Sequence, residues 1–235
     1  MTHYYKSGDC KLPSVTTIIS DCTDKSGPLT QWAANQVVEW IRQNVPQDMV
    51  HSYQKGAYVL YEGDLGNARF HFREVSKEAL DVGSAVHHAI EHYLKSGEEP
   101  KDPPEQVLAG FIAFLEWADS HQMKTKQVEA TVYGDYWAGT LDWYGVFEGE
   151  ITVIDFKTSK ALYPEYRYQI AAYRSCTDAT ASGVLRLDKE TGMPEYKDYS
   201  KSYEKDLAVF NAMVNLYMLR HPRVAKGAGW NIAKT

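Results

Sequence analysis

Two carboxylates and a lysine are spaced for metal-assisted chemistry in the stretch Gly139-Thr-Leu-Asp142-Trp-Tyr-Gly-Val-Phe-Glu-Gly-Glu-Ile-Thr-Val-Ile-Asp155-Phe-Lys157-Thr158. The stretch reads as two β-strands joined by a tight turn at Glu148-Gly149-Glu150, with Gly149 supplying the backbone freedom such a turn needs. Asp155 and Lys157 are two apart, so they project from one face of the second strand. Pairing about the turn sets Asp142 opposite Asp155 or close to it. Two carboxylates held together repel, and a divalent cation with hard oxygen ligands, Mg²⁺ or Mn²⁺, removes the conflict. A lysine beside the ion can position or deprotonate a water, or offset charge on an attacked phosphate. The bland alternative is a solvated ion pair on a surface hairpin, worth little.

The elements around this hairpin follow from periodicity. Gln127-Val-Glu129-Ala-Thr-Val-Tyr133 alternates and reads as a strand, so strands over 127–133, 137–148 and 151–157 form an antiparallel meander. Glu129 is either an extra carboxylate near the patch or an exposed strand residue. Ahead of the meander, a helix carries Gly83, His87 and Glu91, with His87 and Glu91 at i and i+4 on one face. Gly83, one turn before His87, admits close approach of a neighbouring strand. His87, His88 and His92 crowd this helix, and spacing alone does not choose among them. A neutral imidazole is a good ligand for a first-row metal. The helix stops at Lys95-Ser-Gly97. After Lys157 a helix over about 165–175 sets Gln169 and Tyr173 on one face. Beside the patch they can hold a phosphate or orient the lysine; elsewhere they are ordinary surface residues.

The remaining elements are structural. Residues 1–13 read as extended or frayed, and 13–19 as a strand or the first turn of a helix. Asp24 to Pro28 reads as a loop, and Pro28 opens a helix to about Gln43 whose Trp32, Val37, Trp40 and Ile41 form a core-facing stripe. Residues 46–66 read as loops around short helical or extended pieces. An amphipathic helix spans 104–121. Strands follow over 182–187 and 193–199, then a closing helix over 203–219 with Leu207, Phe210, Met213, Val214 and Tyr217 inward. The expected organisation is one domain over 1–235: a helical part over about 1–80, a core over about 81–219 and a tail over 220–235. The expected fold is mixed α/β, a central mixed sheet flanked by helices.

Composition sets limits. The 235 residues are 44% hydrophobic, enough for a sizeable core, and the net charge of −6 excludes a generally basic nucleic-acid binder. Seventeen tyrosines and six tryptophans serve cores more often than base stacking. Cys10, Cys22 and Cys176 have no zinc or iron–sulfur spacing and read as reduced thiols. The sequence shows no membrane-length apolar run and no secretory signal core, so a cytoplasmic protein without a membrane partner is expected.

Four blocks in order resemble the PD-(D/E)XK nuclease superfamily, in its RecB-like exonuclease branch of phage, prophage and mitochondrial genome maintenance exonucleases. They are Gly83-x-x-x-His87, Gly139-Thr-Leu-Asp142, Ile154-Asp155-Phe156-Lys157-Thr158 and Tyr168-Gln169-x-x-x-Tyr173. Pro13-Ser-Val-Thr-Thr-Ile and Leu29-x-x-Trp32-Ala are also similar to phage members, and the resemblance covers roughly residues 12–190. It implies a restriction-endonuclease-like core and one or two Mg²⁺ or Mn²⁺ ions on His87, Asp142, Asp155 and the Phe156 carbonyl. Asp142, Asp155 and Lys157 would be catalytic, while Thr158, Gln169, Tyr173 and Glu129 would support the site or bind substrate. It further implies an exonuclease acting on single-stranded DNA or duplex ends in recombination, repair or phage DNA processing, with a recombination or replication partner. The alternatives are a structure- or site-specific endonuclease and a catalytically silent DNA-binding subunit. The chain departs from some branch members: its three cysteines hold no iron–sulfur cluster, and no P-loop marks a helicase motor.

Overall fold

The computed structural model describes residues 4–24, 26–44, 62–188 and 191–231. Its sheet has five strands in the order β3-β4-β5-β6-β7: β3 (Met123–Tyr133), β4 (Ala138–Phe147), β5 (Glu150–Lys157), β6 (Ala181–Leu187) and β7 (Pro194–Asp198). The β3–β4, β4–β5 and β6–β7 pairs are antiparallel, and β5–β6 is parallel. A parallel pair needs a crossover, and the helix α5 (Tyr166–Ser175) provides it. The meander is therefore as the alternation predicts, with β3 starting four residues earlier, at Met123. At the β4–β5 turn both Glu148 (φ 50) and Gly149 (φ 86) are left-handed, the two-residue turn whose twist matches a hairpin.

Helices cover both faces of the sheet. Val153 and Phe156 differ by an odd number of positions on β5, so they point to opposite faces. On one side Phe114 of α4 (Glu105–Asp119) meets Phe156 edge-on at 5.5 Å, and Trp117 stacks on Phe147 at 5.1 Å. Tyr93, near the end of α3 (Glu62–Ser96), packs on Phe111 at 5.6 Å. On the other side Val153 and Val184 share a core with Ile18 of α1 (Val15–Cys22), Ile170 of α5, and Phe210 and Val214 of α6 (Tyr203–Arg220). Double coverage explains why β4, β5 and β6 are nearly continuously buried. Among the described residues no helix is long and apolar enough to cross a membrane.

Readings the sequence left open are settled. Residues 4–13 are a hairpin, β1 (Tyr4–Ser7) with β2 (Cys10–Pro13), held to β4 by a 3.1 Å hydrogen bond between Tyr5 and Thr140. The 13–19 stretch resolves as α1, because Ser14 accepts the Thr17 N–H at 3.0 Å and caps it. Within the segment expected as a tail, α7 (Pro222–Gly227) buries Ala225 and packs on β2 and α6, and His221 contacts Asp21 at 3.2 Å.

The chain forms two compact units, one of residues 1–23 with 83–235 and one of residues 24–82. The first contains the sheet and joins the N-terminal hairpin and α1 to the core rather than to a helical N-terminal part. In the second, α2 (Ser26–Asn44) starts two residues before Pro28, which sits inside the first turn, where its missing N–H has no cost. Its Trp32, Val37, Trp40 and Ile41 are only half-buried, so the expected core-facing stripe is a partly covered one. Residues 62–66, within the stretch read from sequence as loops around short helical or extended pieces, belong to α3; positions 45–61 lie outside the described residues.

One buried ion pair fixes α5 against α6. Asp206 is 1% exposed; its Oδ1 accepts Arg167 Nε at 2.6 Å and its Oδ2 accepts Ser202 Oγ at 2.6 Å. Removing the carboxylate strands a half-buried guanidinium. Asp206→Ala is expected to destabilise the fold by about 2–3 kcal/mol in urea unfolding.

Candidate active site

The β4–β5 ladder runs from Phe147↔Glu150 to Trp143↔Ile154 and ends there. The next opposed residues are Asp142 and Asp155, as pairing about the turn predicts. In place of a further ladder bond, the Asp142 carboxylate accepts the Phe156 N–H at 2.6 Å. The strands thus part at the acidic pair, and a side chain satisfies the backbone donor this exposes.

Each carboxylate is held from a different layer. Asp155, 1% exposed, pairs through Oδ2 with the Lys157 ammonium. Its Oδ1 accepts Gln169 Nε2 at 3.1 Å, and that nitrogen also donates to the Tyr173 hydroxyl at 3.1 Å. Gln169 and Tyr173 are buried on α5, so they are site residues here and not surface ones. From the opposite layer, His87 of α3 brings Nδ1 to 3.5 Å from Asp142 Oδ2. His88 and His92 line a groove with the 98–104 loop that includes none of the patch residues, so of the three histidines it is His87 that lies beside Asp142.

Two glycines let the layers close in. A Cβ on Gly83 would lie 2.7 Å from Thr158 Oγ1, which places Thr158 where α3 meets the end of β5. A Cβ on Gly139 would lie 2.5 Å from a Tyr173 ring carbon. Glu129 stands opposite Asp142 on β3, between the pairs Val128↔Trp143 and Ala130↔Leu141, and is half-buried. One ligand atom each from His87, Glu129 and Asp142 lies within 4.8 Å of the others.

The electrostatics follow from burial and crowding. Burial raises the Asp155 carboxyl, the Asp142 charge adds to this, and the Lys157 charge works against it. Burial also pushes the Lys157 ammonium down, but Asp155 and Asp142 more than offset it, so Lys157 stays protonated above the usual lysine range. Glu129 is pushed up to about 7 by burial and then by Asp142. The patch thus carries more negative charge than its one lysine balances. One imidazole with several carboxylate oxygens in that setting suits a hard divalent cation.

Tyr166 was not singled out by sequence. Its ring lies 5.1 Å from the Lys157 ammonium and restrains it by a cation–π contact. Tyr163, Tyr166 and Tyr168 are close neighbours in the chain, and only the start of α5 decides which one faces the lysine. Arg186, beside Lys157 in the parallel register, donates to the carbonyls of Ser159 and Lys160 at 3.4 and 3.3 Å and pins the loop after the site.

No protein-family model matches the sequence, and no curated protein matches it. Among solved structures, an alkaline exonuclease (LHK-Exo) from Laribacter hongkongensis is similar over 88% of this chain and 90% of that one, at 11% identity and a TM-score of 0.33. The protein SSO0001 is similar over 81% and 87% of the two chains, at 15% identity and a TM-score of 0.28. Likenesses at these TM-scores carry no argument about activity.

The Tyr173–Gln169–Asp155 relay depends on the space that Gly139 leaves. Gly139→Ala is expected to displace Tyr173 and destabilise the fold by about 1–3 kcal/mol, measured by thermal and urea unfolding.

Proposed function

We propose that this chain is a Mg²⁺- or Mn²⁺-dependent deoxyribonuclease of the RecB-like PD-(D/E)XK type, acting as an exonuclease on single-stranded DNA or duplex ends. One observation carries the reading: His87, Asp142, Asp155 and Lys157, the polar residues of the resembling blocks, converge where the β4–β5 ladder ends. A solvated surface pair does not account for that arrangement, because Asp155 and Gln169 are buried and mutually bonded.

His87, Asp142, Asp155 and the Phe156 carbonyl would hold the cation. When bound, it supplies positive charge at the phosphate and acidifies a coordinated water. Lys157, paired with Asp155, stands beside the cation seat. It orients the attacking water and stabilises charge growing on the phosphate oxygens. Gln169 and Tyr166 hold Asp155 and Lys157 in position. Water adds to phosphorus through a new P–O bond, the bond to the 3′ oxygen breaks, and a proton passes to that oxygen. The products are a 5′-phosphate and a 3′-hydroxyl. A cytoplasmic setting, and recruitment by a recombination or replication protein, belong to the same proposal.

Cleavage of end-labelled single- and double-stranded DNA tests the reading. Mg²⁺ or Mn²⁺ is expected to support cleavage and EDTA to abolish it, with Lys157→Ala slower by at least about 100-fold. Sparing of covalently closed circles identifies an exonuclease, whereas cutting them identifies an endonuclease. Absence of cleavage on every DNA form, with metal present, overturns the proposal. In a separate measurement, a cation at about one hundred times its Kd is expected to stabilise the fold by about 2.7 kcal/mol. Asp142→Asn is expected to lose most of that gain.

A further inference from the structure

The sequence leaves Glu129 with two roles, ligand or exposed strand residue. We infer that Glu129 is a ligand of the divalent cation and completes a seat with His87 and Asp142. The inference rests on the metal-dependent reading above and deepens it by naming a donor outside the four resembling blocks.

Three elements deliver this seat: α3 carries His87, β3 carries Glu129 and β4 carries Asp142. Their ligand atoms lie within 4.8 Å of one another. Two oxygens on one cation at about 2.1–2.4 Å from it lie no more than roughly 4.8 Å apart, so the span fits a shared ion without rearranging the backbone. Asp155 borders this seat, with Lys157 on one of its oxygens and Gln169 on the other, so Glu129 adds a donor to the set proposed above rather than replacing one.

Glu129 reaches the seat through a local departure from strand geometry. Its φ is +54, whereas its neighbours Val128 and Ala130 keep the β3–β4 register. A left-handed backbone costs a non-glycine residue about 1–2 kcal/mol, and such kinks re-aim a side chain out of the strand's alternation. Lys95, the lysine near Glu129, is engaged with Glu91 at 2.6 Å, and Lys157 of the patch pairs with Asp155. Two carboxylates side by side, with those lysines committed elsewhere, repel, and a shared cation relieves that repulsion.

Calorimetric titration of the full chain with Mn²⁺ tests this without reference to activity. Glu129→Gln keeps the side chain's length and removes the charged oxygen. Glu129→Gly is the companion variant, since glycine accepts a φ of +54 at no cost and retains the kink if Gln does not fold. Both are expected to weaken Mn²⁺ binding at least about tenfold, or to remove one bound equivalent, with unfolding in EDTA unchanged or at higher temperature. Wild-type affinity in both variants, with Asp142→Asn still defective, overturns the role of Glu129 and leaves the nuclease proposal standing. Absence of Mn²⁺ binding by the wild-type chain overturns both.

Discussion

Like-charge crowding is the constraint on which the rest of the structure depends. Glu129, Asp142 and Asp155 gather at one end of the β4–β5 hairpin with a single lysine among them, and burial makes the Glu129 and Asp155 carboxylates harder to keep ionised. A chain free to relax would let these groups swing into water. Here they are restrained: Asp142 is tied to a backbone N–H, and Asp155 is gripped by a glutamine and an ammonium. The stability for that restraint comes from a sheet covered on both faces. The same crowding that burdens the fold is what a cation, in the proposed reading, would relieve.

The two layers divide the work. The layer of α3 and α4 packs by aromatic contacts onto Phe156 and Phe147 and delivers His87. The layer of α1, α5 and α6 surrounds Val153 and Val184 and delivers Gln169 and Tyr173. Position therefore passes to the site from opposite sides of β5, and Gly83 and Gly139 set how closely each layer approaches. The Arg167–Asp206 pair fixes α5 two positions before Gln169, so the orientation of Gln169 is backed by a buried charge pair as well as by apolar packing.

Much of this was legible in the residues themselves. The period of two in Ile151 to Lys157 placed Asp155 and Lys157 on one face, and the Glu-Gly turn set Asp142 opposite Asp155. Helical spacing joined Gly83 to His87 and Gln169 to Tyr173. Other features had no local signal. The left-handed Glu129 is invisible because nothing in its residue type asks for that φ, and only the opposed Asp142 gives the kink a purpose. The hairpin at 4–13 and the helix after Pro222 looked like loose ends because each is short and polar, and they are fixed by contacts remote in sequence: Tyr5 with Thr140, and His221 with Asp21. The stripe on α2 misled for the converse reason, since periodicity reports an apolar face but not how much of it is covered.

Anomalous diffraction from crystals of the chain grown with Mn²⁺ tests most directly whether this patch holds a divalent cation. A peak within about 2.5 Å of an Asp142 carboxylate oxygen, at the open end of the β4–β5 ladder, is the predicted result. An empty patch at saturating Mn²⁺, or a peak only at the groove of His88 and His92, would contradict it.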